Sequence, residues 1–301
     1  MPMVRGTIAA LLAPGLNMRT FGRYRDRAEE YRRICNVKDS RKAYEEDMEI
    51  SGLGPLAPKA ELETTILDEP IQLGLQRYIH QTLSLGIVIS KEALDDDQYN
   101  FFMSLAGELG RSARFTADLF GHDPYNFGFV TTKYVGRDGK ALFATDHPIQ
   151  GTGGVYANRP SPDVDLGQAA LEAAVQSFED QIDERGIPID TRPKYLCVSP
   201  LNRMNAKRLL QSTHYPAQNI NDINPLIDEG LQLQTQHYFT DKDAWFLLSD
   251  QSELDVKFYW RELPDTKTWD DDDGDATFHK IRMRLSVGNG NWRNSYGTVG
   301  A

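Results

Sequence analysis

The chain has 301 residues, of which 40% are hydrophobic, and its formal net charge at pH 7 is −11. At this length an ordinary globular composition supports one large core or two smaller ones, which argues against a disordered chain. The negative charge argues against a dedicated nucleic-acid binder, because phosphate contacts need clustered Lys and Arg.

Hydropathy and cysteine usage narrow the class of protein further. The early apolar run Ile8 to Leu12 is too short to span a membrane, and its flank lacks a cleavage pattern. We therefore expect a protein without a signal peptide that is made and kept in the cytoplasm. Cys35 and Cys197 lie far apart with no Cys-x-x-Cys or Cys/His cluster, which predicts two reduced, partly buried thiols rather than a disulfide or a zinc site.

Charge is distributed unevenly over the first hundred residues. Residues 19–42 carry nine basic side chains against four acidic ones, and residues 44–97 carry twelve acidic side chains against three basic ones. Two adjacent segments of opposite sign favour contacts between copies of the chain as readily as contacts with a polyanion.

The first predicted element is a helix in the basic arm. Its apolar side chains recur at spacings of three and four, which places them on one helix face: Phe21, Tyr24, Ala28, Tyr31 and Cys35. The opposite face is mostly arginine. Because the apolar face is narrow, we expect this arm to dock on protein rather than on a membrane.

An acidic stretch and a long strand follow. Residues 43–70 combine acids, glycines and prolines with scattered aliphatic residues, which is typical of a loop. From Leu73 to Ile89 apolar side chains occupy most odd-numbered positions, the period of a strand. Pairing the two gives a long hairpin with little of its own to pack on. We therefore expect the hairpin and the basic arm to become ordered on a neighbouring molecule.

The clearest predicted helix runs from Gln98 to about Gly121 and would be roughly 36 Å long. The acids at residues 95–97 supply its N-cap and complement the positive end of its dipole. Gly107 and Gly110 each cost about 1 kcal/mol relative to Ala inside a helix. Such a cost indicates that another backbone crosses closely there.

The second half of the chain alternates strands and helices. The Asp-Gly pair in Arg137-Asp138-Gly139 predicts a hairpin turn between strands at 129–135 and 141–144. A helix face at 171–182 would end at Gly186, a buried strand is predicted at 195–198, and Ser199-Pro200 would open a helix through Leu210. This block has the pattern of a compact α/β domain. Strands at 255–263 and 278–287 then flank an acidic turn, with Ile281, Met283, Leu285 and Val287 facing inward.

The sequence offers few candidates for catalysis or metal binding. Prolines beside Gly52-x-Gly54-x-x-Ala57 forbid the helix of a dinucleotide site, and Asp271-x-Asp273-Gly274 lacks the ligand spacing of an EF-hand. His147 beside Asp146 resembles a base with its orienting carboxylate, but Asp-His-Pro before a glycine cluster favours a turn. We predict no catalytic residue, cofactor or metal.

The order of the parts resembles the Hong Kong 97-type capsid fold of tailed phages. Several segments resemble the Mu-like major head subunit family: 86–90 through 95–97, Leu109-Gly110-Arg111-Ser112-Ala113, Leu142-Phe143-x-x-x-His147-Pro148 with 151–153 and Asn158, 196–200, and Asn221-Asp222-Ile223-Asn224-Pro225. Each motif is weak alone, and the resemblance depends on their order from about Phe21 to the end.

This resemblance implies an α+β subunit that forms hexamers and pentamers of an icosahedral virion shell around double-stranded DNA, assembled in the host cytoplasm. The implied parts are an N-terminal arm at 1–43, an extended hairpin loop at 44–90, a peripheral domain at 91–144 with 255–301, and an axial domain at 145–254. Implied partners are other copies, a separate scaffold protein, a portal, decoration proteins and non-specifically bound DNA, with no membrane. No Lys/Asn pair for covalent cross-linking is identified.

The charged arm and hairpin supply the predicted interface between subunits. The predicted interface residues are Arg19, Arg23, Arg25, Arg27, Arg32, Arg33, Glu45, Glu46, Asp47, Glu49, Glu61, Glu63 and Arg77. Two alternatives stay open: an encapsulin-type nanocompartment shell around a protein cargo, and an unrelated cytosolic α/β enzyme.

Overall fold

The computed structural model of the chain describes residues 6–65, 67–90, 92–93, 101–214, 223–271 and 274–301. Its helices are α1 (Gly6–Arg25), α2 (Phe101–Asn126), α3 (Gln168–Glu179) and α4 (Arg203–Gln211). Its strands are β1 (Asn36–Asp39), β2 (Tyr44–Ile50), β3 (Gln72–Ile79), β4 (Gln81–Ser90), β5 (His147–Ile149), β6 (Gly154–Tyr156), β7 (Tyr195–Val198), β8 (Gln232–Thr235), β9 (Trp245–Leu248), β10 (Val256–Asp271), β11 (Ala276–Asn289) and β12 (Ser295–Thr298). The mixture is α+β, as predicted.

A long antiparallel pair, β10 and β11, is the centre of the first sheet, whose strand order is β1-β10-β11-β4. Both strands were predicted but are longer than expected. The pairing of β10 with β11 shifts register between Trp260 and Asp265. This irregular stretch accommodates Pro264, which a regular strand would not tolerate. The side chains of Ile281, Met283 and Leu285 are buried, as their alternation predicts.

The predicted long helix is present as α2 and continues past Gly121 to Asn126. Its acidic start at 95–97 lies outside the described residues. The close crossing predicted from its glycines is confirmed, because α1 packs across it. A Cβ at Gly110 would lie 1.9 Å from the Thr20 carbonyl oxygen, and one at Gly107 would lie 3.0 Å from Arg23 Cγ.

The helix predicted over residues 20–35 is wrong in extent, since α1 ends at Arg25. The contacts that end it come from α2. Arg114 Nε donates to the Tyr24 carbonyl at 3.0 Å, and Asp118 Oδ1 accepts from the backbone N–H of Tyr31 at 3.2 Å. Tyr31 is fully buried and stacks on Phe258 at 4.5 Å. Residues after Arg25 therefore fold back onto α2 and the sheet.

The single strand predicted from Leu73 to Ile89 divides at His80. β3 pairs with β2, which confirms the hairpin, whereas β4 pairs with β11 in the first sheet. The His80 ring lies 3.0 Å from Ser40 Oγ and 3.0 Å from Ser286 Oγ, and this anchor interrupts the alternation. As a result Tyr78 is buried while Ile79 is exposed, the reverse of the predicted facing.

The second sheet has the order β12-β9-β7-β8, and its β7 confirms the strand predicted at 195–198. β12 is contributed by the end of the chain, outside the block predicted to form the α/β domain. Two helix boundaries were wrong. α4 begins at Arg203, because Ser199 Oγ bonds the Lys242 carbonyl instead of capping. α3 ends at Glu179, and Asp183 then accepts two backbone N–H groups in a separate turn.

The segment 129–144 contains the predicted turn but no strands. The Gly136 N–H donates to the Lys140 carbonyl at 2.9 Å, and Gly139 has a φ of +76°. His147 lies in the short strand β5 rather than in a turn, paired with β6 across the glycine cluster. Aromatic stacking of Phe143 on the surrounding core, rather than a ladder of backbone hydrogen bonds, fixes this segment.

The two sheets share one hydrophobic core. It includes Cys197 and Phe246 from the second sheet, Phe258 and Leu285 from the first, and Tyr125 from α2. A second cluster, which includes Leu171, Phe178 and Trp245, packs α3 and α4 on the second sheet. The two sheets therefore form one packed body, and the charged arm and hairpin lie on its surface.

Candidate subunit interface

The inner face of the β2–β3 hairpin is held on the chain's own body. Asp47 Oδ2 lies 2.5 Å from Lys257 Nζ, and Glu49 Oε2 lies 2.6 Å from Arg137 Nη2. Between these pairs Tyr78 is 2% exposed and packs on Tyr259. The expectation that the hairpin lacks packing within its own chain is therefore wrong. The sequence could not show it, because the ionic partners come from distant segments.

Three of the predicted interface acids belong to this inner face. Glu45 accepts a hydrogen bond from Ser40 Oγ at 2.8 Å and pairs with Lys42 at 3.0 Å, while Asp47 and Glu49 form the ion pairs just described. Burial opposes the charge of Lys257, but Asp255 and Asp47 beside it raise the pKa of its ammonium. Asp47 thus attaches the hairpin to β10 and Glu49 attaches it to the turn at 136–140, so a contact with another subunit would compete with bonds already made.

The outer face of the hairpin is apolar and faces solvent. We call it the outer hairpin face and define it by five side chains that are 43–70% exposed: Tyr44, Met48, Ile50, Leu75 and Ile79. Cross-strand pairing sets Tyr44 beside Ile79 and Met48 beside Leu75. Sequence reasoning missed this surface, although Tyr44, Met48 and Ile50 alternate with acids at the period of a strand. An exposed apolar strip on a ribbon is a feature of interaction sites.

Two of the predicted interface residues do lie on this outer face, paired with each other. Glu46 Oε1 is 2.5 Å from Arg77 Nη2, and the Arg77 guanidinium lies 4.6 Å from the centre of the Tyr44 ring. Both side chains of this pair face solvent, where an ion pair contributes little stability. They are therefore available for exchange with charges on another molecule.

Beyond the hairpin, residues 51–65 and 67–71 form an extended loop, which we call loop 51–71. The loop shows fully exposed apolar side chains, with Leu56 at 100% and Leu62 at 101%. Its base is tied to the body by Arg185, which bonds Asp68 at 3.3 Å and the Gly52 carbonyl at 3.3 Å. The predicted interface acids Glu61 and Glu63 lie exposed at its far end.

The predicted arginines of the N-terminal arm are all exposed, but they do not form one stripe. Arg19, Arg23 and Arg25 belong to α1, and the others follow its end. Arg23 pairs with Asp26 at 3.4 Å, Arg32 pairs with Glu29, and Arg33 reaches Gln234 at 3.4 Å. Arg27 and Tyr238 line the same recess. The arm packs on α2 through Thr20 and Tyr24, so it is also ordered within its own chain, contrary to expectation.

The histidine singled out in the sequence lies in a structural junction. His147 Nδ1 is 2.5 Å from Asp138 Oδ2, and Nε2 is 3.1 Å from Asn158 Oδ1. Its ring is fully buried and stacks on Trp292 at 4.6 Å. Asp146 instead pairs with Lys140. This motif thus joins the turn at 136–140, β5 and the C-terminal segment.

The cysteines and acidic groups show no feature of a redox or metal centre in the described residues. Cys35 and Cys197 are both fully buried, more than predicted, and burial raises the pKa of each thiol. Throughout the described ranges no three His, Cys, Asp or Glu side chains lie together as a metal site would require. Among the described helices, none combines the length and apolar character needed to cross a membrane.

Solved structures that match the fold include two phage capsid particles and a virus-like particle. The capsid of the Cyanophage P-SCSP1u matches with a TM-score of 0.61 at 11% identity, over 91% of this chain and 88% of that chain. The procapsid of bacteriophage JBD30 matches with a TM-score of 0.54 at 17% identity, over 98% of this chain and 76% of that chain. A virus-like particle from Pyrococcus furiosus matches with a TM-score of 0.55 at 9% identity, over 95% and 98%. At these identities the likeness establishes the fold, which is of the predicted Hong Kong 97 type.

A search of curated protein sequences gives no significant match. The family comparison is positive: the model described as "Phage capsid protein" matches residues 76–296, which is most of the chain. The Mu-like subfamily named from the motifs stays a prediction. On the family match, the chain belongs to the phage capsid protein family, and its role is structural.

Proposed function

We propose that this major capsid protein forms the hexamers and pentamers of an icosahedral phage head that encloses double-stranded DNA. The observation that carries the proposal is the outer hairpin face together with loop 51–71, which shows apolar side chains to solvent at the end of a ribbon. A monomer gains nothing from such exposure, whereas a neighbouring subunit that covers it buries apolar surface.

The contacts in such a shell would be individually modest. The hairpin would reach over one neighbour, the exposed arginines of the arm would run along others, and residues 145–254 with β12 would lie near the capsomer axis. Head-to-tail contacts of this kind close into rings when the rotation between subunits allows it. Many weak contacts then sum through closure of the shell. The subunit would act without catalysis.

The proposal extends to partners. We expect assembly in the host cytoplasm with a separate scaffold protein and a portal, and packaged DNA held by contacts without sequence specificity. A decoration protein fits the same plan. One structural neighbour is the JBD30 capsid decorated with minor capsid protein trimers.

Electron microscopy of the purified protein, alone and with a co-expressed scaffold, tests the proposal directly. We expect closed shells of uniform diameter. A chain that stays monomeric or dimeric on a sizing column at moderate salt under both conditions would overturn it and revive the enzyme alternative.

Deletion of residues 52–67 asks whether the loop is needed for assembly. Ser51 and Ile71 are already hydrogen-bonded at 2.8 Å, so residues 68–70 can close the shortened hairpin. We expect a folded subunit, with unchanged circular dichroism, that no longer forms shells. Normal-sized shells from this deletion would count against the assignment.

Neutralising the arm tests its part separately. Replacing five arginines with Gln should lower shell yield and reduce the dependence of that yield on salt: Arg23, Arg25, Arg27, Arg32 and Arg33. Salt screens attractions between exposed charges, so removing these charges removes the salt-dependent part of assembly. Unchanged yield and salt sensitivity would assign the arm another role.

A nanocompartment shell is the second candidate, favoured by the match to the Pyrococcus furiosus virus-like particle over 98% of that chain. The contents of purified shells decide between the two. Packaged DNA and a requirement for a scaffold support the phage head, whereas shells that assemble unaided around a co-purifying protein and contain no DNA support the nanocompartment.

A further inference from the structure

A recess beside α1 is suited to receive part of another subunit. The recess has a volume of about 600 Å³ and lies between α1, α2 and Tyr238. Four arginines line it against the carboxylates of Asp26 and Glu108, and the arginines are Arg23, Arg27, Arg111 and Arg114. We call it the arginine recess.

The wall of the arginine recess also offers an aromatic surface. Phe115 is 50% exposed and meets Tyr238 edge to face at 5.6 Å. Two of the ion pairs at its rim are exposed and loose, Arg23 with Asp26 at 3.4 Å and Arg111 with Glu108 at 3.2 Å. Such pairs are worth little and exchange readily. The recess therefore favours an occupant with an apolar side chain flanked by carboxylates.

The tip of loop 51–71 has that chemistry. Residues 60–63 form a tight turn, in which the Glu63 N–H donates to the Ala60 carbonyl at 3.2 Å and the Glu63 carboxylate accepts from the Ala60 N–H at 2.9 Å. Leu62 sits at its apex, fully exposed, with a φ of +66°. A leucine rarely adopts this left-handed backbone, and here the two hydrogen bonds of the turn hold it so that the side chain faces solvent.

The tip does not occupy the arginine recess of its own chain, since Leu62 at its apex is fully exposed. The hairpin that bears it is fixed by ion pairs to β10, and the base of the loop is bonded to Arg185. The recess is lined by residues of α1 and α2, by the segment that follows α1, and by Tyr238. A contact between tip and recess therefore joins two copies.

We propose that the arginine recess of one subunit receives the tip Glu61-Leu62-Glu63 of a neighbouring subunit, with Leu62 against Phe115 and Tyr238 and the two glutamates on the rim arginines. The inference rests on the proposed shell function and names the surface that the loop contacts. Because tip and recess are different patches, the contact is head-to-tail and propagates around a ring.

Disulfide trapping tests the placement. The double variant Leu62→Cys with Phe115→Cys should give, on mild oxidation of assembled particles, a ladder of covalently linked subunits on a non-reducing gel. The native cysteines are buried and add no background. The matched control pairs Leu56→Cys with Phe115→Cys, since Leu56 is equally exposed on the same loop. A control ladder as strong as that of the test pair would overturn the proposal.

Charge exchange tests the energetics. Glu61→Arg with Glu63→Arg, or Arg23→Glu with Arg111→Glu, should each raise the protein concentration needed for assembly by roughly tenfold, because like charges then face each other. Combining all four changes should restore much of the loss. All four side chains are exposed, so circular dichroism should confirm an intact fold.

The outcomes separate this inference from the function on which it rests. If the unaltered chain forms shells but neither reversal affects assembly, the tip and recess do not meet and the capsid assignment stands. Reversals that each weaken assembly without mutual rescue also overturn the pairing. If the unaltered chain forms no shells even with a scaffold, the proposed function fails first.

Discussion

At Gly110 the backbones of two helices come close enough that a single methyl group matters. A Cβ there would lie 1.9 Å from the Thr20 carbonyl oxygen, a backbone atom that cannot move aside. We expect Gly110→Ala to destabilise the unassembled subunit by about 1–3 kcal/mol, as overpacking does. The measurement is urea unfolding followed by circular dichroism.

Gly107→Ala is the matched control on the same helix. Its Cβ would meet only Arg23 Cγ at 3.0 Å, the flexible stem of an exposed side chain. The gain of about 1 kcal/mol in helix propensity should then make this variant equal to or more stable than the wild type. Equal losses from both substitutions would contradict the crossing at Gly110.

A buried carboxylate on α2 makes stability depend on pH. Burial raises the pKa of Asp118 to about 6, against the opposing effect of the hydrogen bond from the Tyr31 N–H. From about pH 4 to about pH 6 the folded chain thus holds a proton that the unfolded chain releases, so this group stabilises the fold as the pH falls and costs stability as the pH rises.

Asp118→Asn should remove this dependence. We expect the free energy of unfolding of the variant minus that of the wild type to rise by on the order of 2 kcal/mol from about pH 4 to about pH 7. The difference between the two proteins is the quantity to measure, because other groups also make stability depend on pH. Burial lowers the pKa of His122 and His279, so in both proteins these two histidines lower the free energy of unfolding as the pH falls. A difference that stays flat with pH would refute the role of Asp118.

The two faces of the hairpin should respond to substitution in opposite ways. Met48 and Leu75 of the outer hairpin face are 57% and 51% exposed, so Met48→Ser with Leu75→Ser should change subunit stability by no more than about 0.5 kcal/mol each and still reduce shell yield. Tyr78→Ala on the inner face should lower stability by about 3 kcal/mol or more, because its ring is buried. Unfolding curves and electron microscopy of the same preparations would show whether stability and assembly separate in this way.

Regular periodicity made some elements predictable, and tertiary contacts decided the others. The burial patterns of α2, β7 and β11 are a helical repeat, a short apolar run and an alternation, and the sequence shows each of them. The end of α1 depends on Arg114 reaching back to Tyr24, from 90 residues away. His80 likewise divides a continuous apolar pattern by bonding Ser40 and Ser286. The propensities of neighbouring residues do not predict contacts with partners so distant in the sequence.

The sequence predicted which segments form the candidate interface but not which of their side chains are exposed. Charge reversal along the chain located the arm and the hairpin, yet the acids that created the signal include Asp47 and Glu49, which bind the chain's own cations. The exposed side chains of the outer hairpin face emerged only when the partner of β3 was known. A slip of one residue in a strand exchanges its two faces, and His80 introduces such a change.

For the whole molecule, a single core joins the two sheets. Cys197 of β7 and Cys35 before β1 both lie in it, with Phe246 and Phe258 from the two sheets packed around them. Because no layer of solvent separates the sheets, we expect the described body to unfold as one cooperative unit. Loss of the second sheet alone would expose this shared core to water.

The two native thiols report on that cooperativity. Cys35→Ala leaves Cys197 as the reporter of the second sheet, and Cys197→Ala leaves Cys35 as the reporter of the N-terminal segment. In each variant, labelling of the remaining thiol after a short pulse should follow the urea transition measured by circular dichroism, because the buried thiol becomes reactive only when the shared core opens. Labelling of Cys197 at urea concentrations well below the transition would show that the second sheet opens independently. The protein would then unfold as two units rather than one.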